Sequence, residues 1–113
     1  MLALFLLGPN PVMGQADVSG EWSVSLTLPR EEMGFTMMLV QKGEKLTGYM
    51  LSEIGQFMLE GAVNRDQVKI SWSFPDGGKT LPVTFIGKAE GSSMSGTAKV
   101  GDVGQGPMSA QRK

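Results

Sequence analysis

From Gly20 onward the apolar residues of this chain recur at every second position, and that period constrains the fold more than any other feature. Period two puts one side of a strand in a core and the other in water. The first run is Trp22, Val24, Leu26 and Leu28, spaced by Ser23, Ser25 and Thr27 and stopped by Pro29 and Arg30-Glu31-Glu32. Phe35, Met37, Leu39 and Gln41 follow, then Lys42-Gly43-Glu44-Lys45, then Leu46, Gly48 and Met50. The fourth run is Phe57, Leu59, Gly61 and Val63, and the fifth Val68, Ile70, Trp72 and Phe74, which ends at the strong turn signal Pro75-Asp76-Gly77-Gly78. Leu81, Val83, Phe85, Gly87 and Ala89 make the sixth; Met94, Gly96, Ala98 and Val100 the seventh; Gly104, Gly106, Met108, Ala110 and Arg112 the eighth. No helical window of useful length interrupts them.

The turns test whether these runs share one inner face. A loop over 42–45 sets Leu39 opposite Gly48 and Met37 opposite Met50. A turn centred on Gly77-Gly78 pairs Phe74 with Leu81, Trp72 with Val83 and Ile70 with Phe85. Loops at 64–67 and 90–93 pair Val63 with Val68 and Ala89 with Met94, and a loop at 101–103 pairs Val100 with Gly104. A slip of one residue in any hairpin would turn its apolar set outward. Eight short, locally connected strands with one apolar face bury it most simply by closing, so the expectation is all-β: an eight-stranded antiparallel up-and-down meander barrel, with a two-sheet sandwich as the alternative. The pattern apolar-x-Gly-x-apolar or small recurs at Val18-Gly20-Trp22, Leu46-Gly48-Met50, Leu59-Gly61-Val63 and Met94-Gly96-Ala98. Inward glycines point to sharp coiling where strands approach closely, or to room for a ligand.

Residues 1–16 read differently. Leu2-Ala3-Leu4-Phe5-Leu6-Leu7 is an apolar run too short to span a bilayer, followed by Gly8-Pro9-Asn10-Pro11 and the small-residue tripeptide Gly14-Gln15-Ala16. This is the pattern of a signal peptide cleaved before Asp17, although no Lys or Arg precedes the run. The expected product is a secreted or periplasmic single domain over 17–113. With no cysteine there is neither a disulfide nor a lipobox, and with no histidine neither a His triad nor a His metal site. A net charge of −1 with scattered basic residues gives no footprint for nucleic acid. No stable membrane insertion of the mature domain is expected.

Gly20-Glu21-Trp22 opens the first strand and Arg112 closes the last on the same inward face. In a meander barrel those positions lie at one end, where the guanidinium can cover the indole as a cation–π plug. The pair resembles the Gly-x-Trp and terminal Arg of the calycin superfamily, which includes lipocalins, fatty-acid-binding proteins and avidins, and also small exported bacterial β-domains of lipocalin-like shape. That resemblance implies a calycin-like barrel closed by Trp22 and Arg112. The chain departs from it in being shorter than lipocalins, in lacking their C-terminal helix, and in lacking avidin's recognisable biotin contacts, so no family ligand follows.

The inward set contains no carboxylate, and carboxylates fall in loops and on outer positions such as Glu60. Acid–base or nucleophilic chemistry needs a titratable or activated group in a water-poor pocket, so the expectation is no enzyme, no catalytic residue, no metal and no cofactor. Methionine adapts to varied apolar surfaces, and Met37, Met50, Met94 and Met108 face inward as core filler or as pocket lining. The expected pocket is the open end, lined by Leu28, Phe35, Met37, Met50, Phe57, Trp72 and Phe74. Its rim would come from Arg30, Glu31, Glu32, Met33, Ile54, Asp76 and Lys79. A small hydrophobic ligand is the expected partner. Met38, Val40, Tyr49, Leu51 and Met58 point outward on the second to fourth strands, an apolar patch that suggests a homodimer or another protein contact. The alternatives to a binding protein are a structural or interaction module with a filled core, and an inhibitor presenting loops such as 29–34.

Overall fold

A computed structural model describes residues 15–113; the expected signal peptide lies almost wholly outside the described residues. Eight antiparallel strands close into a barrel in meander order: β1 Gly20–Thr27, β2 Glu32–Lys42, β3 Lys45–Ser52, β4 Gly55–Asn64, β5 Gln67–Asp76, β6 Lys79–Glu90, β7 Ser93–Val100 and β8 Gly104–Arg112. The sandwich alternative is excluded by the pairing of β1 with β8, which runs from Trp22 opposite Arg112 to Leu26 opposite Met108. All-β, eight-stranded, antiparallel and closed is a shape compatible with the calycin fold.

The pairings expected from the turns are those observed. Met37 faces Met50 and Leu39 faces Gly48. Val63 faces Val68; Ile70, Trp72 and Phe74 face Phe85, Val83 and Leu81. Ala89 faces Met94, and Val100 faces Gly104. The β5–β6 turn needs two residues in left-handed backbone, and Gly77 (φ 57°) and Gly78 (φ 88°) supply them without steric cost.

Inward side chains fill the barrel. Trp22, Leu26, Met37, Leu39, Leu46, Met50 and Phe85 are essentially sealed from solvent, and no polar or charged residue is fully buried among the described residues. The inward glycines answer to backbone approach. A Cβ built at Gly61 would overlap the Lys69 carbonyl oxygen of the next strand, and one at Gly48 the Met38 carbonyl oxygen. The space a side chain would take there is occupied by neighbouring main chain. Because the strands tilt, a row of cross-strand partners climbs the barrel: Arg112, Trp22, Met37, Met50 and Phe57 lie side by side on successive strands. One end of that row is the closed end, the other the open end.

Candidate functional site

At the closed end, the buried side-chain polar atoms of the described residues all find partners. Residues 15–19 run across it as a strap, with Val18 buried against the core. The Gln41 side chain ties the strap down: its Oε1 accepts from the Val18 amide at 2.8 Å and its Nε2 donates to the Ala16 carbonyl at 3.0 Å. The Ala16 amide donates in turn to the Arg65 carbonyl at 2.7 Å. The indole Nε1 of Trp22 donates to the Val18 carbonyl at 3.0 Å. Over the ring lies Arg112, its guanidinium carbon 4.5 Å from the ring centroid, donating to the Ser19 carbonyl and, at 2.7 Å, to the Asp17 carbonyl. Gly20 makes this possible: its φ is +116°, and a Cβ there would sit 3.1 Å from Arg112 Nη1. The Asp17 carboxylate accepts from the Ser19 hydroxyl at 2.6 Å and the Ser19 amide at 3.1 Å. Those two bonds, aided by the charge of Arg112, hold its pKa below the usual carboxylate value against a small opposing effect of burial.

The open end is aromatic. Phe35 stacks on Phe74 at 5.6 Å, Phe57 meets Phe74 edge-on at 5.2 Å, and Trp72 meets Phe74 at 6.0 Å and Phe35 at 6.2 Å. These spacings are those of favourable aromatic pairs. Four of the seven expected pocket residues thus form one cluster. Met37 and Met50 lie beneath it with no exposed surface, and Leu28 is buried where β1 gives way to its loop, its amide bonded to the Glu31 carbonyl at 2.8 Å. The cluster and the methionines together occupy the interior that a deep pocket would need.

What remains concave lies beside the cluster. A groove of about 340 Å³ at the rim is bordered by Glu31, Glu32, Met33, Phe35, Ile54 and Phe74. A second, of about 610 Å³, lies along the barrel wall between β4 and β5, bordered by Gln56, Met58, Glu60, Ser71, Trp72 and Ser73 among others. Of the other expected rim residues, Lys79 borders a separate groove near Gly101, Arg30 is exposed, and Asp76 closes the β5–β6 turn opposite Lys79.

The wall groove exists because a seam is open. The β4–β5 ladder runs from Asn64 opposite Gln67 only as far as Glu60 opposite Ser71. Yet β4 stays a strand back to Gly55 and β5 on to Asp76, each still paired with its other neighbour. Alternation along the ladder explains part of this. Asp76 and Lys79 close the two-residue turn, so Phe74 and Trp72 bond toward β6, and Ser73 and Pro75 turn their main-chain groups toward β4. Pro75 has no N–H to give, so the ladder cannot be completed there. Beside the opening sits Trp72, 4% exposed, whose Nε1–H has no partner among the described residues. The open seam and the unpartnered indole escape alternation counting; Pro75 facing β4 is the one sequence signal that could have found them.

The outward patch is a cross-strand row. Met38 pairs with Tyr49, and Tyr49 with Met58; Met38 and Tyr49 are half-buried, whereas Val40, Leu51 and Met58 are exposed. Met58 is also a wall of the seam groove. Among the described residues no group of three acidic side chains is placed to hold a metal. Compared with protein-family models and with curated protein sequences, the chain matches none.

Proposed function

We propose that this chain is an exported, non-catalytic binding protein that takes a small apolar molecule at the open end of a calycin-like barrel. The observation that carries the reading is the cluster of Phe35, Phe57, Trp72 and Phe74 at the open end, flanked by two grooves, while the indole of Trp22 and the side chains of Gln41 and Arg112 at the closed end are engaged in hydrogen bonds. Small ligands are held where aromatic and apolar surface meets a small number of polar groups that fix orientation. Because Met37 and Met50 fill the barrel beneath the cluster, the ligand sits against the aromatics rather than deep in the interior. The cleaved leader and the secreted or periplasmic location belong to the same proposal and rest on residues 1–16.

Native mass spectrometry of the purified protein after exposure to a panel of neutral apolar compounds tests this. Retention of one equivalent, lost in Phe74→Ser, is the expected outcome; no retention of any compound would remove the reading. A second reading, an interaction module, is favoured by the Met38–Tyr49–Met58 row. Sedimentation of the native protein and of Tyr49→Glu separates the two: a dimer that the substitution dissociates assigns the patch to a protein contact.

A further inference from the structure

The apolar-ligand reading leaves open which chemistry the ligand carries and where it seats, and the β4–β5 seam answers both. We infer that the open seam between Gln56–Leu59 and Trp72–Pro75 is the seat of the ligand's polar end, and that the ligand is a neutral apolar molecule bearing one hydrogen-bond acceptor, such as a ketone or ester, which takes the Nε1–H of Trp72. This inference rests on the apolar-binding reading and deepens it.

Three observations converge. A buried indole N–H without a partner is costly, because it has given up water and received nothing; Trp72 is 4% exposed and unpartnered among the described residues, while Trp22 in the same barrel is bonded. The main chain beside it is also short of partners: beyond Glu60 opposite Ser71, the β4 and β5 edges face a groove of about 610 Å³ instead of each other. Finally, the charge of the surroundings selects the ligand. Among the described residues, Glu60 is the only charged one bordering the seam groove, and Glu31, Glu32 and Glu53 are those bordering the rim groove. No described Lys or Arg borders either one. A carboxylate ligand would meet like charge with no cation to offset it, so an ionised fatty acid is disfavoured and a neutral acceptor is preferred.

The acidic lining and the orphan donor make separable demands, and a matched set of probes separates them: naphthalene, 2-acetylnaphthalene and 2-naphthoate, titrated into ¹⁵N-labelled protein. The ketone is expected to bind about fivefold tighter than naphthalene, as one added hydrogen bond gives. It should shift the Trp72 indole resonance downfield and perturb the amides of Gln56–Glu60 and Ser71–Ser73. Naphthoate is expected to bind more weakly than the ketone. Trp72→Phe should remove the ketone's advantage, so that ketone and naphthalene bind alike.

If ketone and hydrocarbon bind equally and the Trp72 indole resonance stays still, the inference fails while the apolar-binding reading stands. It fails in the same way if the shifts fall only on the rim at 31–35 and 52–54, or if naphthoate binds as tightly as the ketone. If none of the three probes perturbs seam or rim at millimolar concentration, both fall.

Discussion

Trp22 and Trp72 are both inward residues of the same barrel and both all but sealed from water, yet their surroundings differ at every level. Trp22 has a carbonyl for its N–H, a guanidinium over its face and a strap of main chain held by Gln41 beneath it. Trp72 has aromatic edges around it, no described partner for its N–H, and a wall whose ladder has stopped. The indole N–H of Trp22 is spent on the protein itself, whereas that of Trp72 has no partner among the described residues. A region whose donors are all engaged can only close a barrel, whereas free donors beside an apolar surface are what a ligand site is made of.

The comparison can be broken most forcefully at Trp22. Trp22→Ala removes a fully buried indole together with its hydrogen bond and its cation–π contact, and is expected to cost about 3–5 kcal/mol in denaturant unfolding. A loss below about 1 kcal/mol would mean that the closed end is not what holds the barrel shut. Arg112→Met keeps the apolar stem and removes the charge; the lost stacking and the two carbonyl contacts predict about 2 kcal/mol, read from the shift in unfolding midpoint at constant slope.

A finer test sets the two tryptophans against each other. Trp22→Phe discards a made hydrogen bond, whereas Trp72→Phe discards an unmade one and relieves its desolvation. The expectation is that Trp72→Phe stays within about 1 kcal/mol of the parent while Trp22→Phe costs about 2 kcal/mol or more. Equal losses would show that the Trp72 N–H is satisfied in solution.

The smallest effect concerns Asp17. Its folded-state pKa lies below 3.8, so its stabilising contribution is present above that value and drains away as pH falls through the folded pKa. Asp17→Asn should flatten the acid side of the stability profile below about pH 4 and leave the neutral side nearly unchanged, as equilibrium unfolding across pH would show.

How far the sequence could be read depends on what kind of fact was sought. The number of strands, their order and the register of the hairpins were legible, because alternation and turn residues are local and each wrong register would have exposed its apolar side chains. Val63 opposite Val68 is such a case, and it led to the right pairing. What the same arithmetic misses is where a ladder stops. Leu59 and Trp72 alternate correctly on both strands, and nothing in their own identities says that β4 and β5 part there; the missing donor of Pro75 is three residues away and on one strand only. The half-exposure of Phe57 and the sealing of Met37 and Met50 are likewise products of tilt, which moves cross-strand partners up the barrel and which no single strand encodes.

The pairing of β1 with β8 carries a consequence for how the chain reaches its native state. Each of the other ladders joins strands that are neighbours in sequence, so each can zip from its own turn. Closure instead joins strands from opposite ends of the described chain, Trp22 with Arg112 through Leu26 with Met108, and the Arg112 contacts to Ser19 and Asp17 span further still. The entropy of bringing those ends together has to be met before Trp22 and Arg112 can return anything for it. Any state in which β1 and β8 have not yet paired leaves two bare strand edges, which pair readily with those of a second chain. The slow step in refolding should therefore be sensitive to Arg112 and indifferent to Trp72, and concentrated refolding should lose material to association before it loses speed.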